Sequence, residues 1–253
     1  MKPFSIRASV AAVALALLQA CGGGGGGSKS DTDNGSTASS PEGTWSGTAV
    51  SRGSNYDVTL VVLEDGHYYG VYASGGVAQG LLEGDGSDSG STFSSSNGRD
   101  FPFGNQDHVP FTLAANFTSK QSISGSAQYS GFNATFNGSY DASYDTPATL
   151  TEIAGTYSGS AGSLDGASDV VLSIAASGSF TGITSTGCRV SGSLSPRSGG
   201  KAVFNLAVTY DSATCGTGIT VRGIAGKSGS RGLVFAGTQS DRSDAFYGFV
   251  NQP

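Results

Sequence analysis

Apolar residues recur at every second position through most of this chain. Val170, Leu172 and Ile174 share one face of an extended backbone, as do Phe204, Leu206, Val208 and Tyr210. Phe111, Leu113, Ala115 and Phe117 repeat the pattern in the first half. A period of two, rather than 3.6, belongs to strands with one buried face. Asp65-Gly66 and Ser177-Gly178 stand between two such runs, where a hairpin turn needs positive φ. The second half divides into eight strands, near residues 155–161, 168–175, 178–184, 188–194, 202–210, 219–226, 232–238 and 245–250. The first half divides likewise, with Asp85 to Phe103 the least regular stretch. Eight short antiparallel strands in roughly 100 residues suit an up-and-down barrel, which has no free sheet edge. Such a barrel encloses either a side-chain core or one small ligand. The expected fold is all-β: two tandem homologous antiparallel domains, each a small up-and-down β-barrel of about eight strands. One larger barrel shared by both halves, or two sandwiches, are the alternatives.

The homology of the halves rests on an internal repeat. Gly43-Thr44-Trp45-Ser46-Gly47 and Gly155-Thr156-Tyr157-Ser158-Gly159 open segments that align at an offset of 112, from Gly43 to Val71 against Gly155 to Ile183. Eleven of those 29 positions are identical, and apolar positions correspond as well: Val62/Ile174, Tyr68/Phe180 and Val71/Ile183. Further on, Phe111-Thr112-Leu113-Ala114 recurs as Phe204-Asn205-Leu206-Ala207, and Ile123-Ser124-Gly125 as Val221-Arg222-Gly223.

Ahead of the strands, Lys2 and Arg7 flank an apolar run from Ala8 to Leu18, and the small residue Ala20 precedes Cys21. These are the parts of a secretory signal. The run is too short to cross a ~30 Å hydrocarbon core, which needs ~20 residues. Leu18-Gln19-Ala20-Cys21 closely resembles the bacterial lipobox. That resemblance implies cleavage between Ala20 and Cys21, diacylglyceryl on the Cys21 sulfur and N-acylation. With Gly22 rather than Asp next, it favours the outer membrane. Gly22 to Ser40 is nearly all Gly, Ser, Thr, Asp and Asn, with no aromatic or branched aliphatic residue. Such a stretch buries too little apolar surface to offset its ordering entropy and reads as a flexible tether, reaching on the order of 25 Å. The expected organisation is a helical signal peptide over 1–20, a lipidated Cys21 with a disordered Gly/Ser linker over 21–40, and β-domains over 41–150 and 151–253.

Charge narrows the partners. Without Lys2 and Arg7 of the leader, eleven basic residues face nineteen acidic ones, a net charge near −8. That disfavours nucleic acid and an electrostatic hold on anionic lipid. Strands of six to nine residues with Gly and Ser on the outward parity also fall short of the ~9–11 residues of a membrane-spanning strand. With Cys21 committed to lipid, Cys188 and Cys215 remain as a pair in an oxidising compartment. A disulfide between them closes a loop of 27 residues, a constraint of roughly 3 kcal/mol.

Catalytic and metal motifs are absent from the pattern. His67 and His108 have no partners in ligand spacing and read as solvated turn residues. No Gly-x-Ser-x-Gly elbow occurs. Glu83-Gly84-Asp85-Gly86-Ser87-Asp88 departs from the calcium-loop pattern and reads as a solvated acidic turn. No enzyme, cofactor or metal is expected. Tyr68, Tyr69 and Tyr72 cluster on one strand, where adjacent side chains point to opposite faces. One face must be core, so Tyr69 faces the other way from Tyr68, and Tyr69 and Tyr72 are the candidate binding residues. The plainer reading puts these tyrosines in core and sheet surface.

Taken together, Leu18 to Gly27, the paired Gly-Thr-Trp/Tyr-Ser-Gly openings and Cys188 with Cys215 resemble the glycine-rich two-repeat lipoproteins of proteobacterial outer membranes. The layout is similar, more distantly, to the factor-H-binding and transferrin-binding surface lipoproteins. Gly43-Thr44-Trp45 resembles the lipocalin Gly-x-Trp opening, while the lipocalin Thr-Asp motif is missing. The resemblance implies a lipid-anchored, non-catalytic β-barrel binding module at the bacterial outer membrane, on its periplasmic or surface face. Its partners are the membrane, through the anchor, and a protein, glycan or small apolar ligand. The alternative is a structural or accessory envelope lipoprotein with no small-molecule ligand. The binding module predicts an apolar cavity or an aromatic patch; the accessory protein predicts packed cores.

Overall fold

The structure, a computed structural model, describes residues 39–105 and 107–253. The leader, Cys21 and the tether up to residue 38 lie outside the described residues. Nine strands build the first sheet: β1 (Gly43–Ser51), β2 (Ser54–Val62), β3 (His67–Ser74), β4 (Val77–Asp85), β5 (Ser87–Ser89), β6 (Thr92–Pro102), β7 (Val109–Thr118), β8 (Ser122–Tyr129) and β9 (Phe132–Tyr140). β5 continues β4 beyond Gly86, so the two form one stave. β6 pairs with β4 from Gly80↔Pro102 to Glu83↔Arg99 and with β5 at Ser87↔Ser94. With β1 paired to β9, the sheet closes as an antiparallel barrel of eight staves. The irregularity expected over Asp85 to Phe103 is this break at Gly86 together with a register shift between Ser95 and Gly98.

A second closed barrel follows from β10 (Gly155–Ser163), β11 (Gly166–Ile174), β12 (Ser179–Thr184), β13 (Arg189–Pro196), β14 (Val203–Tyr210), β15 (Thr220–Ser228), β16 (Gly232–Gln239) and β17 (Ala245–Asn251). Each half closes on itself, so neither one shared barrel nor a pair of sandwiches forms. Cys188 and Cys215 are joined by a disulfide across the second barrel's rim, with Cα atoms 5.5 Å apart.

The repeat is structural as well as sequential. Gly43↔Val62 in the first barrel matches Gly155↔Ile174 in the second, and Val62↔Tyr68 matches Ile174↔Phe180, all at the 112-residue offset. The later matches require correction. Phe111–Ala114 lies on β7, the sixth stave of its barrel, whereas Phe204–Ala207 lies on β14, the fifth. Ile123–Gly125 and Val221–Gly223 are displaced by one stave in the same way. Strands of one barrel share the alternating pattern, so a short match can slide from one strand to its neighbour.

The first barrel is packed at one end only. There, Trp45, Val62, Tyr68, Phe93, Phe117 and Ile123 are 0–4% exposed. Burying each such side chain contributes about 1.5–3 kcal/mol. Toward the other end the inward positions Tyr56, Val58, Tyr72, Phe132, Ala134 and Phe136 are only half-buried. The 3₁₀ turns Ala142–Asp145 and Leu150–Ile153 connect the barrels. Leu63, Tyr69, Leu81 and Phe101 of the first barrel, Tyr144 of the connection, and Leu164, Val203 and Ile224 of the second form one apolar cluster between them.

Candidate functional site

The hollow end of the first barrel is a cavity of about 330 Å³, within the size range of small-molecule sites. Two hairpins shape its mouth. β1 and β2 are joined by Arg52-Gly53 alone, with φ of 49° and 80°. These are the signs that a two-residue turn matching strand twist requires. β8 and β9 are joined by Ser130-Gly131, which sets Tyr129 directly across from Phe132. The two rings stack with centroids 4.4 Å apart. The Arg52 guanidinium lies 3.8 Å from the Phe132 centroid, so a cation and two rings line the rim.

Deeper in, Tyr72 on β3 meets Tyr56 on β2 edge to face, at 5.6 Å. The Tyr72 ring lies over Gly80 of β4, where a Cβ would collide with it, so glycine there makes room for the ring. Its phenol donates to Asp100 Oδ1 at 3.0 Å, and the Tyr129 phenol donates to Asp100 Oδ2 at 3.0 Å. Asp100 is 9% exposed, and no ion pair among the described residues includes it. Burial pushes its carboxyl up to about 6, and the two phenol donors restrain the rise. Tyr68, whose phenol donates to Ser95 Oγ at 3.2 Å, closes the floor. Burial pushes this phenol up to about 12. The arrangement is an aromatic cup around one buried carboxylate, suited to hold a compact ligand.

The candidate tyrosines separate. Tyr72 lines this cavity. Tyr69 lies in the contact between the barrels, 7% exposed and edge to face with His67 at 4.8 Å. Neither Asp100 nor Arg52 is singled out by the sequence. A polar residue within the irregular stretch carries no mark of facing inward. Tyr129 opens an aromatic run with Phe132, Phe136 and Tyr140, which the sequence does display.

Two turn readings need correction. Glu83 and Asp85 lie on β4 and Asp88 on β5, and Glu83 is 2% exposed. Strand pairing with β6 and the Arg242 guanidinium, 2.6 Å from Glu83 Oε2, take it out of water. His67 opens β3 rather than lying in a solvated turn. Its Nδ1 is 2.7 Å from Asp85 Oδ1 and its Nε2 3.3 Å from Glu83 Oε1. That hydrogen bond is the main reason the Asp85 carboxyl lies below its ordinary range. Among the described residues no group of three or more His, Cys, Asp or Glu is placed to hold a metal ion.

The second barrel has a cavity of about 470 Å³, with the disulfide at its mouth and Leu172, Phe180, Val190 and Phe235 on its walls. Its chemistry differs. The positions of Tyr56 and Tyr72 are taken by Ser168 and Thr184, and the pair Leu82↔Asp100 by Val190↔Tyr210. A groove of about 1130 Å³ also runs between the barrels, beside Tyr69, Tyr144 and Tyr247.

No family model matches the chain, and no curated relative matches it. Among solved structures, a proposed outer membrane protein of Bacteroides fragilis is similar at 16% identity, over 84% of this chain and 97% of that one, with a TM-score of 0.28. A double mutant of transferrin binding protein B from Haemophilus parasuis is similar at 8% identity and a TM-score of 0.28; the match covers 78% of this chain and 65% of that longer one. A protein of unknown function from Nostoc punctiforme is similar at 10% identity, over 84% and 96% of the two chains, with a TM-score of 0.29. At TM-scores this low none of them bears on function.

Proposed function

We propose that this chain is a lipoprotein of the bacterial outer membrane whose first barrel binds a small ligand without turning it over. The anchoring half of the reading is supported by Leu18-Gln19-Ala20-Cys21. It assigns residues 1–20 to a signal peptide, Cys21 to lipid, 21–40 to a tether, and 41–150 and 151–253 to the two β-domains. Its partners are the membrane, through the lipid, and the ligand of the cavity; the acidic balance of the chain disfavours nucleic acid.

One observation carries the binding half. The first barrel is filled at the Trp45 end and open at the Tyr72 end, where a cup of aromatic rings surrounds Asp100. A barrel with only an accessory role has no reason to forgo packing there, since each unfilled void loses dispersion contacts. Nor is a buried carboxylate without a cation a stabilising element. Proteins commonly keep such costly features where they bind. Of the two candidate tyrosines, Tyr72 belongs to this proposal.

Native mass spectrometry of the chain purified from its own envelope tests the reading. The expected spectrum shows a small molecule bound at one copy per chain, absent when Ala134→Trp fills the cavity and Trp45 stays buried. An identical unliganded mass for both proteins would contradict it.

A further inference from the structure

We infer that the ligand of the first barrel is a small organic cation, an ammonium group on a compact apolar body; this rests on the reading of that cavity as a ligand site. The inference follows from the charge balance inside the cup. Asp100 receives two phenol donors, one on each oxygen, yet a carboxylate has about four acceptor positions. Two neutral donors do not cancel its charge. No Lys, Arg or His is paired with it among the described residues. An isolated carboxylate in a low-dielectric site is unfavourable by far more than two hydrogen bonds return. What Asp100 lacks is a positive charge paired with it.

The walls point the same way. Tyr56, Tyr72, Tyr129 and Phe136 present ring surface to the cavity. The negative face of an aromatic ring attracts a cation, most strongly where water is excluded. An ammonium group is compact enough to reach Asp100 past these rings, whereas an anion would meet the carboxylate without compensation. Phe132 shows the preference in place, because the Arg52 guanidinium already rests on it at 3.8 Å. Arg52 is exposed, so salt and water screen its repulsion of an entering cation. At the matching positions of the second barrel, Ser168, Thr184 and Tyr210 supply neither the carboxylate nor the paired rings, and Asp244, which lines that cavity, accepts instead from the Leu164 and Ala245 backbone amides.

Three probes of nearly one shape separate the possibilities: choline, its neutral isostere 3,3-dimethylbutan-1-ol, and 3,3-dimethylbutanoate. Each is titrated into the full chain in detergent and followed by calorimetry. The expected result is saturable choline binding, at least tenfold tighter than the neutral alcohol, with no binding of the carboxylate. Asp100→Asn should remove that tenfold preference, and its unfolding curve at pH 7.5 shows whether the barrel is intact. The comparison of probes on the unmodified chain does not depend on any variant folding. Equal affinity for choline and the alcohol would overturn the cation inference and leave the cavity reading standing. Tighter binding of the carboxylate would also overturn it. Silence from all three would overturn both.

Discussion

Arg242, on the turn between β16 and β17, reaches from the second barrel to Glu83 on β4 of the first, with Nε 2.6 Å from Oε2. The same guanidinium donates to the Glu83 and Asn97 carbonyl oxygens, at 3.1 and 2.8 Å. Arg99 returns the contact by donating to the Arg242 carbonyl at 2.7 Å. A buried carboxylate on one barrel is therefore satisfied by the other. Removing Arg242 leaves Glu83 beside the His67 imidazole, whose Nε2 is 3.3 Å from Oε1. Arg242→Ala should lower stability by about 3 kcal/mol, the low end for breaking a buried pair, read as a fall in the urea midpoint. Glu83→Gln in the same background should recover part of it. A variant with an unchanged midpoint would show that the ion pair is idle.

Asp100 makes stability depend on pH with a definite sign. Its carboxyl titrates near 6 in the folded chain, above the ordinary 3.8. The folded state therefore holds the proton more tightly between those values, and stability falls as pH rises through them. The loss approaches ~3 kcal/mol once the group is ionised in both states. Asp100→Asn should thus melt higher than the parent chain at pH 7.5 and lose that advantage at pH 4. Thermal melts at the two pH values settle it, and a difference independent of pH would remove Asp100 as the cause.

Gly80 holds open the space for Tyr72. Gly80→Ala should push the ring off Asp100 and weaken any cavity ligand at least tenfold. The stability cost should be only ~1–3 kcal/mol, as for overpacking elsewhere. Tyr72→Phe, which keeps the ring and removes the phenol, should weaken the ligand less. If Gly80→Ala binds as well as the parent chain, Tyr72 is not part of the site.

The disulfide staples only the second barrel. Cys188→Ser with Cys215→Ser should lower its stability by about 3 kcal/mol. Reductant should shift the denaturation midpoint of the parent chain by the same amount and leave the double variant unmoved. A midpoint insensitive to both would mean that the loop is held by strand pairing alone.

Much of this fold was legible, and the reasons are specific. Val170, Leu172 and Ile174 alternate because one face of β11 is buried, and the hairpin glycines mark where φ turns positive. The site was legible only in part, because inward facing inside a hollow barrel has no fixed polarity. Asp100 reads as a surface residue, yet it points into the cup after a register shift on β6. Tyr69 has the parity of a surface ring, but the second barrel covers it. Glu83 has the neighbours of a solvated turn, and the guanidinium that joins strand pairing in burying it lies 159 residues away. Contacts between barrels leave no periodic trace.

Alanine methyl groups report directly on whether the open end of the first barrel holds a ligand. Ala49, Ala127 and Ala134 line that cavity, while Ala161 and Ala167 line the other barrel's. With ¹³C-labelled alanine methyls, a small-molecule extract of the producing cells should shift the first three resonances and leave the other two in place. Shifts confined to Ala161 and Ala167, or no shift at any of the five, would contradict the account.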